Sequence, residues 1–496
     1  MGSFHRSVGL ESFSKTVAVL ESREWLHAEW FGRRDQIRIP GVRTSSQFDM
    51  VWAGSAAELF GFRLAVDRRP NSRNLLGNIA DGLGAGMAVI SLTSSSGLLA
   101  VDGGNPVRVA PPPMWPEYAP DEIAAVVETL RTGKVNQWTG KQVGQFERAL
   151  AELHEMPFSV ALANGSLALE AILRAHRIGP GDEVIVTPRS FIASTSCVDL
   201  VGAKPVFADI DIDSEAITPD TVRPLITDRT KAVIVVHLNG RPADMPGFVE
   251  LTKRDNILVF EDCAQALGAR INGRLVGSFG HASAFSFCQD KIISTGGEGG
   301  MALFKDKADW RRAWSYRDHG KDYDIAFKPL PSSGFRWSHT SFGSNGRLTE
   351  MQAAIGLRQL TKLSDWISAR AMNARKLEQC LAPYPSVHIA PLPPNHQHAF
   401  YRFSFRVEPT RLKSGWNRDR VMRALIAEGI PCVSGACPEI YLEGAYAKSM
   451  AWFQRLPNAT YLGTTSLVLL VHPTLDDRFL SDCRIALEKV FDAATN

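Results

Sequence analysis

The chain has 496 residues, room for two to four domains at ~100–200 residues each. A make-up of 45% hydrophobic and 22% charged residues excludes collagen-like, coiled-coil and wholly disordered chains. With 55 basic against 52 acidic residues the formal charge is only +3, which gives no electrostatic ground for binding nucleic acid or a membrane surface.

Residues 1–97 stand apart. Arginine far outnumbers lysine, with Lys15 alone before residue 98, and Trp25, Trp30 and Trp52 are scattered without a hydrophobic period. This stretch reads as a poorly ordered or atypical extension, with Met87 a plausible true start. Acidic residues such as Glu11, Glu21 and Asp35 argue against a transit peptide, and no basic-led apolar run marks a secretory signal. The uncharged run from Gly82 to Val101 has the ~20-residue length of a membrane helix, but Gly, Ser and Thr crowd it and it is not read as a span. Within it GLGAGM lacks the third glycine and the preceding strand of a dinucleotide fingerprint.

From Ile123 the pattern becomes regular. Two amphipathic helices, EIAAVVETLRTG and VGQFERALAELHE, precede short apolar runs at Ser159–Ala163, Glu183–Thr187, Pro205–Ala208, Ala232–His237, Ile257–Phe260 and Ala282–Phe287. Runs apolar throughout, with helix-length segments such as SLALEAILRAHRIG and MPGFVELTKRD between them, fit a mostly parallel sheet covered on both faces. A long helical stretch beginning at Leu348 then suits a connector. After the Pro-rich linker APLPPNHQH, strands (FYRFSFRV, SLVLLVHP) and helices (RDRVMRALIAEG, DRFLSDCRIALEKVF) compose a smaller α+β unit. The division expected is 1–97, 98–375 and 376–496.

Ligands of open α/β sheets bind beyond the carboxyl ends of the strands, and three such endings carry chemistry. In VALANGSLALEAIL a strand meets Asn164, Gly165 and Ser166 and then a helix; amides at a helix N-terminus suit a phosphate, although Ser166 could equally be a plain N-cap. In NILVFEDCAQALGA the strand ends in Glu261 and Asp262, and a buried carboxylate needs a cation or hydrogen bonds to stay charged. In HASAFSFCQDKIISTGGEGGM, Ser286 is followed by Lys291 and a Gly-rich turn, and desolvation should lower the lysine's pKa and free its amine as a nucleophile. Phe191, in TPRSFIAS, could stack on a ring. Phosphate site, carboxylate and lysine together are what pyridoxal phosphate requires of a protein.

These strings, with TGKVNQWTGKQVGQFE and NGRLTEMQAAIGLRQL, make the chain from about Leu98 onward resemble the DegT/DnrJ/EryC1/StrS family of PLP-dependent sugar aminotransferases. The resemblance implies an α/β fold of PLP fold type I, with a seven-stranded-type sheet in the large domain. It also implies that Lys291 forms the Schiff base with PLP and that Asp262 pairs with the pyridine nitrogen. Gln265 would lie near the phenolic oxygen and Phe191 over the ring. Gly165, Ser166 and Ser286 would hold the phosphate, and Asn345 would reach it from the neighbouring subunit of a homodimer. Three positions depart from the family pattern: Ser166 in place of Thr, Cys288 in place of His, and Gly346 in place of an aromatic before Arg347.

The implied reaction is amino transfer from L-glutamate to a nucleotide-linked keto-deoxysugar with ping-pong kinetics. A keto-cyclitol or aminohydroxybenzoate enzyme of the same fold and a silent PLP-binding regulator remain alternatives, while Lys291 argues against the histidine-bearing dehydratases. Seven cysteines without a C-x-x-C pair point to the cytoplasm with unpaired thiols and give no metal-ligand spacing. No membrane span and no metal are expected. His237 and His472 read as strand ends, Cys432 and Cys437 as small apolar residues, and Arg317, Asp318 and His319 as a loop able to touch a nucleotide.

Overall fold

The computed structural model describes two N-terminal strands and then residues 98–329, 335–450 and 453–495. The chain divides after residue 91. In the first unit Val17–Glu21 and Glu24–Ala28 pair antiparallel, and the rest of the expected extension lies outside the described residues, as does most of the run from Gly82.

The second unit is built on a seven-stranded sheet. Its strands are β1 (Phe158–Leu162), β2 (Glu183–Val186), β3 (Lys204–Phe207), β4 (Thr230–Val236), β5 (Leu258–Asp262), β6 (Ala282–Ser286) and β7 (Gly300–Phe304), in the spatial order β1-β7-β6-β5-β4-β2-β3. Neighbours from β6 through β3 are parallel, whereas β7 runs antiparallel to both β6 and β1. Sequence reading finds six of these strands and misses β7, because GMALF follows the glycine turn directly and is too short to show a period of its own.

Alternation along each strand feeds two cores. Val259, Val233 and Phe285 face one, while Phe260, Ile234 and Ala284 face the other. After α1 (Pro120–Arg131), helices including α2 (Gln142–Leu153) and α5 (Met245–Asp255) close the first core, and α3 (Gly165–Ala175), α4 (Ala193–Leu200) and α6 (Lys307–Arg317) close the second. The long helix α7 (Glu350–Leu381) starts in a capping box of Thr349 and Gln352 and continues past residue 375. It packs onto a third core around an antiparallel sheet whose longest strands are Phe403–Val407 and Ser466–Leu469. Among the described residues no helix is long and apolar enough to cross a membrane.

Candidate active site

The site forms where β1, β5 and β6 end. Helix α3 leaves β1 through Asn164, whose side chain accepts from the Leu167 amide at 2.9 Å and is the N-cap. Ser166 is therefore not the cap; it lies exposed in the first turn, where helix geometry leaves the amides of Gly165 and Ser166 without intrahelical partners. Gly165 allows the helix to approach β6, since a Cβ there would stand 2.7 Å from the Ser286 Cβ. Ser286, the last residue of β6, accepts from the Cys288 amide at 3.4 Å.

Asp262 ends β5 between Val236 of β4 and Ala284 of β6. It is 4% exposed and accepts from the Ser194 hydroxyl at 2.7 Å and the Ala264 amide at 3.0 Å. Two contacts leave acceptor capacity on the carboxylate. Ser194 is in α4, and its amide donates to the Phe191 carbonyl at 3.1 Å, so the Phe191 ring and the hydroxyl that holds Asp262 are carried on one turn. The Phe191 side chain is 65% exposed despite its apolar character. Gln265 is held by the Asn239 amide at 2.7 Å.

Lys291 sits on the loop after β6, its backbone carbonyl accepting from Trp115 Nε1 at 2.8 Å. Its Nζ lies 3.5 Å from Tyr401 Oη and 3.8 Å from an Asp290 oxygen. Tyr401 in turn donates to Asp290, which Arg402 approaches at 3.2 Å. Burial works against the ammonium, but Tyr401, Asp290 and Cys288 outweigh it and hold Lys291 above its ordinary value. The expectation of a lowered pKa is thus corrected: desolvation acts as supposed, and Tyr401, then Asp290 and Cys288, together reverse its effect.

Asn345 is exposed and forms an isolated backbone bridge with Asp318. The expected loop at residues 317–319 is revised. Arg317 closes α6 rather than lying in a loop, and it pairs with Glu147 at 2.6 Å. Asp318 is engaged by Arg347 at 2.7 Å, Lys321 at 3.0 Å and Trp138 Nε1 at 2.7 Å, which leaves these two residues as internal ties rather than nucleotide contacts. His472 lies past the strand Ser466–Leu469 and stacks on Trp115. His237, Glu261 and Cys263 come together in the interior, but Glu261 is saturated by the amides of Gly277, Phe279 and Gly280 at 2.7–2.8 Å and by His237, whose other nitrogen accepts from Ala243. Those donors are already used within the protein. All seven cysteines are unpaired.

The residues fit pyridoxal phosphate by their own geometry. A glycine lets a helix N-terminus with free amides meet the strand that leads to Lys291, a buried carboxylate keeps acceptor capacity, and an exposed aromatic ring sits on the turn whose serine holds that carboxylate. A seven-stranded sheet of this order, with lysine and carboxylate at its strand ends, defines the fold type I class of PLP enzymes. The comparisons agree. The profile of the DegT/DnrJ/EryC1/StrS aminotransferase family matches residues 116–483. An aminotransferase structure from Psychrobacter cryohalolentis superposes with a TM-score of 0.75 at 43% identity, covering 77% of this chain and 99% of that one. L-glutamine:2-deoxy-scyllo-inosose aminotransferase of Streptomyces fradiae is 39% identical over 290 residues, 57% of this chain and 68% of the relative. UDP-N-acetyl-3-dehydro-alpha-D-glucosamine 3-aminotransferase of Acidithiobacillus ferrooxidans is 38% identical over 291 residues, 59% of this chain and 73% of the relative. The chain belongs to the DegT/DnrJ/EryC1/StrS aminotransferase family and is a PLP-dependent aminotransferase.

Tyr401, Asp290, Ser194 and Trp115 escape sequence reading. Asp290 adjoins Lys291 and could have been found by asking what faces a lysine. The others reach the site across long sequence separations and leave no local signal.

Proposed function

We propose that the protein moves the amino group of L-glutamate to a nucleotide-linked keto-deoxysugar, supplying an amino sugar for a polysaccharide, glycan or antibiotic. The observation that carries this is the grouping of Lys291, Asp262 and the α3 N-terminus at adjoining strand ends, in a family whose members include nucleotide-sugar aminotransferases. PLP, when bound, supplies the electron sink for the Cα carbanion. Gly165, Ser166 and Ser286 hold its phosphate with amides and hydroxyls, strengthened by the helix dipole. Asp262 keeps the proton on the pyridine nitrogen, and Ser194 orients that carboxylate. Phe191 covers one face of the ring, and Gln265 stands by the phenolic oxygen.

Lys291 carries the reacting proton. Its amine acts as base at the donor's Cα and returns the proton as acid, general acid–base work of ~10²–10⁴-fold. It is the neutral amine that does this work, and Asp290 and Tyr401, the groups beside its Nζ, hold and orient it. A homodimer completes the site on this reading, with Asn345 reaching the phosphate of the neighbouring subunit. The location that fits is the cytoplasm, where unpaired thiols persist. Residues 1–97 are then an addition to a catalytic body of 98–375 and 376–496.

The similarity to the Streptomyces fradiae enzyme favours a second reading, amination of a keto-cyclitol with L-glutamine as donor. Absorbance scans of the PLP-loaded protein with L-glutamate or L-glutamine test the donor half. A shift to the shorter-wavelength aminated cofactor establishes it, and an unchanged spectrum with both donors refutes it. Turnover of nucleotide keto-sugars against 2-deoxy-scyllo-inosose separates the two acceptors. Sedimentation of the loaded protein as a monomer would refute the dimer.

A further inference from the structure

Lys291 lies between β6 and β7 on a stretch that forms neither helix nor strand. A functional side chain on a loop is placed less firmly than one on a regular element unless something from outside holds it. The Lys291 amide donates within the loop, to the Cys288 carbonyl at 3.1 Å. Its carbonyl is held from elsewhere, by Trp115 Nε1 at 2.8 Å across 176 residues of sequence.

Trp115 is itself enclosed. Trp366 of α7 meets its ring edge-on with centroids 5.0 Å apart, His472 stacks on it at 6.1 Å, and the Arg370 guanidinium stands 5.0 Å from its centroid. Arg370 in turn donates to the carbonyl of Tyr401 at 3.3 Å, and Tyr401 Oη lies 3.5 Å from the lysine Nζ. The contacts thus run in a closed circuit from the Lys291 carbonyl through Trp115, Arg370 and Tyr401 to the Lys291 amine.

The chain before Trp115 is a strap laid over the third core. Buried Glu428 accepts from the Ala100 amide at 2.7 Å and the Val107 amide at 3.1 Å, Arg108 pairs with Asp482 at 2.8 Å, and Thr474 Oγ1 donates to the Met114 carbonyl at 2.6 Å. Beyond Trp115, the Tyr118 hydroxyl lies 3.2 Å from that of Ser294, so the strap meets the lysine loop twice while its other end is anchored. A lysine amine rides on a long flexible stem, and a misplacement of about 1 Å can cost ~10²-fold in rate. We propose that Trp115 is a positioning residue for the reaction: its indole N–H fixes the Lys291 backbone, and the strap that carries it sets where the amine stands. This rests on the assignment of Lys291 as the lysine that binds PLP.

The test strips the full chain of PLP, adds the cofactor back and follows its covalent attachment by absorbance, with borohydride reduction and peptide mass mapping to name the lysine. Trp115→Phe keeps a ring and removes the donor. Attachment should slow about ten-fold, and kcat for amino transfer should fall by a like factor with KM for the donor unchanged. Trp366→Phe trims the same cluster without touching a hydrogen bond to the lysine loop and should leave both rates near wild type. Thr474→Val, at a part-exposed position, cuts the strap's anchor beside Trp115 and should slow attachment about three-fold. It decides the matter should Trp115→Phe not fold. Rates equal to wild type in Trp115→Phe, or slowed as much in Trp366→Phe, overturn the proposal. PLP fixed on Lys291 with an unslowed Trp115→Phe refutes the positioning role alone, whereas PLP fixed on another lysine refutes the assignment of Lys291 and the proposal with it.

Discussion

Glu261 and Asp262 are adjacent carboxylates at the end of one strand, and both are almost wholly buried. Because side chains alternate along β5, Glu261 shares a face with Val259 and Asp262 with Phe260. Glu261 meets three backbone amides and His237; burial alone would raise its pKa, but His237 and the amides of Gly280 and Gly277 outweigh this and lower it. Asp262 meets one hydroxyl and one amide and keeps capacity for another donor. Saturation marks a carboxylate that stabilises the fold, and an unfilled valence marks one that serves a ligand. The buried arginines differ only in degree: Arg317 is paired with Glu147 and leaves Nε unmatched, whereas Arg370 leaves both Nε and Nη2 unmatched.

The largest expected effect lies at the unsaturated side. Lys291→Ala should lower the glutamate half-reaction by at least about 10³-fold, because both the covalent link and the proton carrier are removed. Rapid-mixing absorbance measures this, and a retained cofactor band in the variant would refute the assignment.

Exchanging the two neighbours sharpens the contrast. Asp262→Asn should cut the rate by about 10²-fold or more at nearly unchanged melting temperature. Glu261→Gln should do the reverse, losing about 1–3 kcal/mol of stability with activity largely kept, since it leaves buried donors poorly matched. Equal loss of activity in both would break the comparison.

Acid sensitivity follows from the same carboxylate. The folded-state pKa of Glu261 lies below the ordinary 4.5, so its stabilisation is fully present above that pH and is lost as pH falls through the lowered value. Thermal melting of Glu261→Gln should therefore decline less than that of wild type below pH 4.5.

The smallest effect concerns the helix start. Gly165→Ala places a methyl 2.7 Å from the Ser286 Cβ, which should cost about 1–3 kcal/mol and weaken PLP retention together. Unaltered PLP affinity in a destabilised variant would detach this helix end from phosphate binding.

Much of the site is legible in the sequence because its strings are short and contiguous. Asp262 closes an apolar run, Lys291 follows Ser286 within one turn, and Gly165 opens a helix directly after a strand. Ser194 and Tyr401 are not legible, since they meet Asp262 and Lys291 across separations of 68 and 110 residues and nothing local marks which way they face. The strand β7 is hidden for a related reason, as its five residues gain their identity from pairing with β6 and β1.

Sequence alone therefore determines the α/β architecture, the family and the lysine–carboxylate pair, because hydrophobic period and motif spacing are properties of neighbouring residues. Tertiary structure decides which of two adjacent carboxylates keeps a free valence, why Lys291 is held charged, and that Arg370 is buried with unmet donors. Those outcomes depend on hydrogen-bond partners and burial supplied from distant parts of the chain, and only the folded arrangement brings them together.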